Sequence, residues 1–413
     1  MRRRNLGKSI IAFLLVFVMV LSPLQGIFAE EENENEKHIT FLGTSDMHSN
    51  IYGYSYENDK EDNIGAARVY TYIEEVRASN PNTILVDNGD TYQGQIISDA
   101  VYNKRPDEIH PVSKYLNYAK YDAFVLGNHE FNFGLDFVGK INNELNMPVL
   151  AANASYKENG EPLVENYALL NFDGVKVGIL GLTNPNAPRW DGDKVEPIKF
   201  ESVIDSAKKY VPILKNEENC DIVIVSTHIG LNAEYGEDSG KALMNEVDGI
   251  DAVMLGHAHF ATSGEENGVI YGMPKNLASN IVRFDFTLKE NEEGKYEVID
   301  KKSDIIETDK YEPSKEIRNL IKNEHNTTID FIKNSIFGKA SADFQPPNEI
   351  KGIPQGKLED TAVIELIGNV QLEMSGADVT SVALFKDTSD IKKGDINYGS
   401  LFDIYKFDNT LYT

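Results

Sequence analysis

Short apolar runs alternate with amphipathic segments along most of the chain. The runs have the length of buried β-strands, and segments such as 65–79 and 200–215 repeat apolar residues with helical spacing. This alternation predicts an α/β fold with a layered sheet. The predicted strands are 39–44, 83–87, 121–127, 149–152, 175–182, 221–227 and 251–256, with the alternating run 281–288 as an edge strand.

The pattern changes toward the C-terminus. We expect a first domain over 38–310, and then a connecting helix and linker over 311–345, because 314–336 has the spacing of one long amphipathic helix and a Pro- and Gly-rich stretch follows it. A second α/β unit follows. Its residues, 346–413, are fewer than a typical domain of about 100 residues needs, so we expect only the first part of that domain here.

The first 29 residues have the composition of a secretory signal peptide. Four basic residues precede the apolar run 10–21, and the small residue Ala29 precedes a charged linker at 30–37. We therefore expect 1–29 to be removed and the protein to be exported, to the extracellular space or cell surface, or to the periplasm if the source has an outer membrane. An uncleaved anchor helix is the alternative, but the run is short for a membrane span. We expect no transmembrane segment in the mature chain.

The charge balance and the cysteine count restrict the possible partners. A formal net charge of −26 repels nucleic-acid polymers and anionic membranes, so we expect no nucleic-acid polymer as a partner. A small anionic substrate would need a local positive centre, such as bound metal ions. The single cysteine, Cys220, excludes an internal disulfide and a thiolate metal site.

Polar residues of ligand type follow five of the predicted strands directly. Because ligands bind at the carboxyl edge of the sheet in α/β folds, these side chains are candidates for one shared site. Five of the eight histidines in the chain belong to this set. Its members are Asp46, His48, Asp87, Asp90, Asn128, His129, Glu130, His228, His257 and His259.

The combination of residue types points to a pair of metal ions. Carboxylates, an amide and imidazoles without sulfur suit divalent transition metals such as Mn, Zn, Fe or Co. One tetrahedral ion needs only four ligands, so a larger set indicates two ions, an arrangement used in displacement at phosphorus. Each residue alone also has an ordinary structural explanation: Asp87 and Asp90 could form turns, and Glu130 could begin a helix. Their recurrence at five strand ends favours the metal site.

The order of these motifs resembles the calcineurin-like metallophosphoesterases. The matching motifs are Asp-x-His at 46–48, Gly-Asp at 89–90, Gly-Asn-His-Glu at 127–130, His228, and Gly-His-x-His at 256–259. The resemblance implies a β-sandwich flanked by helices over 38–310. Residues 346–413 resemble the beginning of the substrate-binding C-terminal domain of secreted 5′-nucleotidases. Gly-Asn-His-Glu-Phe-Asn, with Asn132 where 5′-nucleotidases usually have Asp, is similar to the bifunctional 2′,3′-cyclic-nucleotide 2′-phosphodiesterase/3′-nucleotidases.

The resemblance also implies a role for each residue. His129 would assist the leaving oxygen, and Asn132 would hold His129 without adding a negative charge, which would leave the pKa of the imidazole lower than an Asp would. The aromatic residues that stack the nucleotide base would lie beyond Thr413. The two ions would share Asp90, and their ligands would be Asp46, His48, Asp90 and His259 for one ion and Asp90, Asn128, His228 and His257 for the other.

These features favour one function and leave two alternatives open. The favoured function is hydrolysis of small nucleotide substrates: 2′,3′-cyclic nucleotides to 3′-nucleotides, and these to nucleosides and phosphate. A 5′-nucleotidase or UDP-sugar hydrolase is the closer alternative. A surface binding protein on a catalytically silent hydrolase scaffold is the more distant one, although every predicted ligand position holds a competent residue.

Overall fold

The computed structural model describes residues 36–382 and 386–406 of the chain. The predicted signal peptide and most of the predicted linker lie outside these residues. The strands are β1 (Glu36–Thr44), β2 (Tyr54–Ser55), β3 (Lys60–Glu61), β4 (Thr83–Asp87), β5 (Ala123–Val125), β6 (Val149–Leu150), β7 (Ala154–Tyr156), β8 (Tyr167–Phe172), β9 (Val175–Leu182), β10 (Ile198–Phe200), β11 (Ile222–Thr227), β12 (Ala252–Met254), β13 (Thr262–Glu266), β14 (Val269–Met273), β15 (Asn280–Glu290), β16 (Tyr296–Glu307), β17 (Ile336–Ala340) and β18 (Gly394–Asn397).

Helices connect the strands, and several begin at clear sequence signals. Ser202 caps one of them by accepting a hydrogen bond from the Asp205 backbone N–H, at 3.3 Å. Short 3₁₀ or π turns cover Ile97–Tyr102, His129–Phe131, Gly192–Val195, Ile213–Glu217 and Gln355–Lys357. The α-helices are α1 (Ala66–Ser79), α2 (Pro111–Tyr118), α3 (Leu135–Glu144), α4 (Ala187–Asp191), α5 (Val203–Pro212), α6 (Gly240–Glu246), α7 (Lys315–Leu320), α8 (Lys322–Asn334), α9 (Ala362–Ser375) and α10 (Tyr398–Ile404).

Two six-stranded sheets form the centre of the molecule. The first has the strand order β16-β15-β1-β4-β5-β6, and the second has the order β13-β14-β12-β11-β9-β8. In the first sheet β1, β4, β5 and β6 run parallel, and in the second β14, β12, β11 and β9 do. The run at 281–288 is not an edge strand, because β15 is covered by β16, which pairs antiparallel with it.

The sheets pack face to face, with helices on their outer faces. Phe41 and Val86 of the first sheet share one buried cluster with Ile179, Ile224 and Met254 of the second. A separate cluster joins the first sheet to α1, α2 and α3, and another joins the second sheet to α5 and α6. Parallel strands buried on both faces explain the continuous apolar runs in the sequence. The predicted α/β fold, a layered sandwich flanked by helices, is confirmed.

The segment after the sandwich differs from the predicted helix and linker over 311–345 in two respects: the helix is divided, and β17 lies within this segment. The long helix expected over 314–336 is divided at Ile321, whose φ of −111° and ψ of 19° leave the helical region. Beyond it, β17 pairs antiparallel with β18, and Ala340, Val363 and Ile404 belong to a small separate core. Glu36 and Lys37, which the sequence pattern placed in the predicted linker, belong to β1. Within the described residues, none of the helices is long and apolar enough to cross a membrane.

Candidate metal centre

The structure brings the predicted ligands together at the carboxyl ends of strands from both sheets. Ligand atoms of Asp46, His48 and His259, which we call the Asp46 group, lie within 4.8 Å of one another. The same holds for Asp90, His228 and His257, the Asp90 group. The groups adjoin, since His228 Nε2 lies 3.8 Å from Asp46 Oδ1 and 2.9 Å from Asp90 Oδ2.

Backbone turns aim these side chains at a common point. Asp46, His48, Asp90, His257 and His259 all have φ between 46° and 68°. This left-handed region is uncommon for residues other than Gly, and it concentrates at functional sites. Asp46 and His48, two positions apart, can therefore point to the same place. His259 Nε2 lies 3.1 Å from His48 Nε2 and 3.2 Å from Asp46 Oδ1.

Hydrogen bonds fix the orientation of three of the imidazoles. His48 Nδ1 donates to the Gln93 carbonyl at 2.9 Å, and His228 Nδ1 donates to the Asn88 carbonyl at 2.5 Å. His257 Nε2 donates to the carboxylate of Glu234 at 2.6 Å. Outer bonds of this kind set the tautomer of metal-binding histidines, because they direct the lone pair of the opposite nitrogen inward.

The electrostatic environment of the centre favours a positive charge next to its buried carboxylates. Burial opposes ionisation of Asp90, but His228 and His129 hold its pKa well below the ordinary value. Burial alone would lower the pKa of His228, yet Asp90 and Asp46 raise it to about 10. In contrast, burial and the neighbouring His129 lower the pKa of His48 to about 3. The two buried carboxylates thus stabilise a cation between them, a role that a metal ion can take over.

Asn128 provides a test of whether the residues fit bound metal ions. Its side chain is 3% exposed, and among the described residues its Oδ1 has no hydrogen-bond partner. A buried, unpaired amide oxygen costs on the order of 1–3 kcal/mol. An amide oxygen that binds a cation does not carry this free-energy cost. The carboxylate, imidazole and amide donors therefore fit divalent transition-metal ions.

The predicted catalytic pair, His129 and Asn132, is joined by a hydrogen bond. His129 Nδ1 lies 2.7 Å from Asn132 Oδ1, and His129 Nε2 lies 3.9 Å from Asp90 Oδ2. The His129 side chain is 22% exposed, so a substrate can reach it. Burial would lower the pKa of His129, but Asp90 and the bond to Asn132 raise it above its ordinary value.

A carboxylate that the sequence analysis missed lies behind Asn132. Asn132 Nδ2 donates to Asp191 Oδ1 at 2.9 Å, so the network of His129 includes an acid one hydrogen bond further away. Burial raises the pKa of Asp191, while Asn132 and Lys194 act to lower it. Asp191 ends α4, in the connection that leaves β9. Its contact with Asn132 spans 59 positions, so no local pattern in the sequence identifies it.

Two further acids support the centre without being ligands: Glu130, which belongs to the predicted set, and Glu234, which does not. The fully buried carboxylate of Glu130 accepts hydrogen bonds from the backbone N–H groups of Asp90, Thr91 and Gly127, at 2.9, 2.8 and 2.8 Å. It thereby ties the loop after β4 to the loop after β5. Glu234 orients His257, but a lone acid in a polar loop gives no signal in the sequence.

Comparisons with known proteins agree with this geometry. The sequence profile of the family described as calcineurin-like phosphoesterase matches residues 39–261, more than half of the chain. The chain is 29% identical to the trifunctional nucleotide phosphoesterase protein YfkN of Bacillus subtilis, over 99% of this chain and 31% of that protein. It is 28% identical to a 2′,3′-cyclic-nucleotide 2′-phosphodiesterase/3′-nucleotidase of Yersinia enterocolitica, over 90% of this chain and 64% of that protein. It spans less than two thirds of either relative.

Solved structures show the same architecture. The crystal structure of the calcineurin-like phosphoesterase YfkN from Bacillus subtilis matches with a TM-score of 0.67 and 29% identity, covering 72% of this chain and 100% of that one. A 5′-nucleotidase precursor from Thermus thermophilus matches in fold, with a TM-score of 0.66 and 19% identity, covering 91% of this chain and 75% of that one. The resemblance seen in the sequence is thereby confirmed, and the chain belongs to the calcineurin-like phosphoesterase family.

Proposed function

We propose that this chain hydrolyses nucleotide phosphoesters with two divalent transition-metal ions bound between its sheets. The Asp46 group together with Asp90 would hold one ion, and the Asp90 group together with Asn128 would hold the other, so that Asp90 bridges them. The observation that carries the proposal is the adjacency of two compact ligand groups, each with its donor atoms within 4.8 Å. When bound, such ions activate water and neutralise charge on the phosphoryl oxygens.

The chain's own residues prepare the site for this reaction. The carbonyls of Gln93 and Asn88 hold His48 and His228 in one tautomer before any ion binds, so little reorganisation is needed. The backbone N–H of His129 donates to Asp90 Oδ1 at 2.7 Å and fixes that carboxylate. The His129 ring, partly exposed and next to Asp90, is placed to give a proton to the departing ribose oxygen.

We propose 2′,3′-cyclic nucleotides and 3′-nucleotides as the substrates. The Yersinia enterocolitica relative is named for these two activities. Asn132 is the residue in this chain that resembles those enzymes rather than 5′-nucleotidases. The second candidate is 5′-nucleotidase activity, which is the name of a relative from Vibrio parahaemolyticus, 25% identical over 94% of this chain. Export by the signal peptide at 1–29 remains a prediction from the sequence.

Phosphate release from 2′,3′-cyclic AMP, 3′-AMP and 5′-AMP tests the proposal. The assay is run on the 413-residue chain, after removal of metals with a chelator and after return of Mn²⁺, Zn²⁺, Co²⁺ or Fe²⁺. We expect turnover of the cyclic and 3′ substrates to require a returned metal. Asp90→Asn should remove it, and Asp107→Asn, which changes an exposed acid away from the centre, should retain it.

Two results would contradict the proposal at different levels. A strong preference for 5′-AMP would overturn the substrate assignment and leave the hydrolase. No turnover of these nucleotides or of bis(p-nitrophenyl) phosphate with any of the four metals would overturn the hydrolase itself and favour a binding protein.

A further inference from the structure

Three side chains from two separate segments form a continuous hydrogen-bonded chain behind the metal centre. His129 belongs to the short turn after β5, Asn132 follows that turn, and Asp191 ends α4. The bonds are 2.7 Å between His129 Nδ1 and Asn132 Oδ1, and 2.9 Å between Asn132 Nδ2 and Asp191 Oδ1. Lys194 donates to the Asn132 carbonyl at 2.7 Å and holds the same segment from outside.

The chemistry of these groups determines which one donates and which one accepts in each of these hydrogen bonds. An ionised carboxylate can only accept hydrogen bonds, so Asp191 requires the NH₂ end of Asn132 to face it. The oxygen end of the amide must then face His129, and Nδ1 of His129 must carry the hydrogen. An isolated amide beside an imidazole could rotate by 180° and present its NH₂ group instead, which would demand a bare Nδ1.

The burial of Asp191 indicates that it is not there for stability alone. Its side chain is 5% exposed, and within the part of the chain that the structure describes its Oδ2 has no hydrogen-bond partner. Burying an incompletely paired carboxylate costs free energy. A neutral Asn or Ser at this position would avoid the cost of burying a charge but would not dictate the orientation of Asn132.

We propose that Asp191 is a positioning residue that, through Asn132, fixes the tautomer and orientation of His129. With Nδ1–H held, Nε2 of His129 is the atom that carries the proton for the departing ribose oxygen. Asp191 itself does not touch the substrate. This inference rests on the proposed function and adds to it the residue that keeps His129 ready to act as the acid.

Leaving groups of different basicity separate this role from a merely structural one. The 3′-ribose oxygen of 3′-AMP leaves as a strongly basic alkoxide and needs a proton, whereas p-nitrophenolate leaves without one. Asp191→Asn lets residue 191 donate as well as accept, so the amide of Asn132 is no longer fixed. We expect kcat for 3′-AMP to fall about 10-fold or more, with kcat for p-nitrophenyl phosphate within about twofold and KM for both unchanged.

Exchanging the two residue types between positions 132 and 191 tests the donor and acceptor roles in these hydrogen bonds. In Asn132→Asp combined with Asp191→Asn, residue 132 can accept from Nδ1–H of His129 and from the new amide at 191, which restores the orientation. This double variant should recover most of the 3′-AMP turnover lost in Asp191→Asn. Asp191→Ala, which removes the acceptor, serves as a second single variant, with the same expected effect, if Asp191→Asn folds poorly. Asp193→Asn, an exposed acid in the next turn, is the matched control and should behave as wild type.

The outcomes distinguish this inference from the proposed function. Equal losses for both substrates in the single variants, no loss for either, or a double variant no better than Asp191→Asn would overturn the role of Asp191 while leaving the hydrolase in place. Failure of the wild-type chain to hydrolyse both substrates would instead overturn the proposed function. Bound metal per chain, measured for every variant, should match the wild type if the effect acts through His129, and the thermal midpoint of Asp191→Asn should not fall below that of the wild type.

Discussion

Asp87 ends β4 and Asp90 lies three positions beyond it, but their carboxyl groups have opposite surroundings. Asp90 lies beside His228 and His129, which overcome the effect of burial and hold its pKa well below the ordinary value. Asp87 is equally buried but meets hydroxyl and amide groups rather than cations: it accepts hydrogen bonds from Thr44, Thr91 and Gly89. Burial therefore dominates and raises the pKa of Asp87 to about 7. Only Asp90 belongs to the candidate metal centre.

Replacing Asp87 by Asn should change the dependence of stability on pH. Because the pKa of Asp87 is raised from 3.8 to about 7 on folding, the folded chain binds more protons than the unfolded chain between these values. The free energy of unfolding therefore falls as the pH rises through this window, and Asn, which does not titrate, removes that slope. We expect Asp87→Asn to be more stable than wild type by up to about 4 kcal/mol at pH 8, with little difference at pH 4. Urea unfolding at several pH values measures this.

The neutral side chain can keep the contacts that the acid makes. An amide at 87 can accept from Gly89 and Thr91 through its oxygen and donate to Thr44 through its nitrogen. The Thr44 hydroxyl can then donate its own hydrogen to Tyr121 Oη, which lies 3.0 Å away. Asp107→Asn, at an exposed position, is the control and should leave the slope unchanged. A stability difference between Asp87→Asn and wild type that is the same at every pH would contradict the assignment.

At the scale of the elements, the site depends on the close approach of the loops that follow β4 and β5. A Cβ added at Gly127 would lie 2.3 Å from Asp90 Oδ1 and 2.4 Å from the Asp90 backbone nitrogen. A Cβ at Gly89 would lie 2.2 Å from the Gly127 nitrogen. Glu130 holds the same two loops together, since its carboxylate accepts hydrogen bonds from the backbone N–H groups of Asp90 and Gly127. Glycine is therefore required at both positions, because the backbones of the two loops are in direct contact here.

Gly127→Ala should damage both the fold and the metal centre. The new methyl group cannot fit against backbone atoms without moving the loop that carries Asp90, at a cost of about 1–3 kcal/mol or more. We expect a lower urea midpoint and loss of tightly bound metal, measured by unfolding and by elemental analysis of the dialysed protein.

A glycine in open space provides the matched control. Gly139 lies within α3, and outside its chain neighbours and the adjacent backbone of that helix no described atom lies within 4 Å of the position its Cβ would take. Gly139→Ala should raise the free energy of unfolding by about 0.5–1 kcal/mol, because alanine loses less backbone entropy in a helix. Gly127→Ala with wild-type metal content would show that the loops can separate without disturbing Asp90.

Local patterns in the sequence predict some of these elements and cannot predict others. The apolar runs that became β4, β9 and β11 are buried on both faces, so their strand character is visible without the fold. The break at Ile321 is invisible, because the periodicity of the two helices continues across it. Asp191 is similarly hidden, since its contact with Asn132 spans 59 positions and depends on how β9 and β5 are placed in opposite sheets. Sequence motifs thus predict residues grouped along the chain better than the partners that orient them.

At the scale of the molecule, the candidate metal centre joins the two halves of the sandwich. Asp46, His48, Asp90 and Asn128 follow strands of the first sheet, while His228 and His257 follow strands of the second. Buried carboxylates from one sheet face imidazoles from the other, and the whole chain carries a net charge of −26. Cations bound here would therefore connect the sheets as well as serve the reaction, and their loss would lower the stability of the entire fold.

This connection predicts a metal-dependent thermal midpoint that can be separated from the general acidity of the surface. Ligands that bind only the folded state stabilise it by about 2.7 kcal/mol at a concentration 100 times their Kd. We expect Mn²⁺ or Zn²⁺ to raise the midpoint of the chelator-treated chain, and the rise to persist in about 0.5 M NaCl. Salt at that level screens weak binding to exposed acids, while buried pairs are screened much less. Asp90→Asn should lose the rise and Asp107→Asn should keep it. A rise that disappears with salt, or that survives in Asp90→Asn, would place the cations on the surface rather than between the sheets.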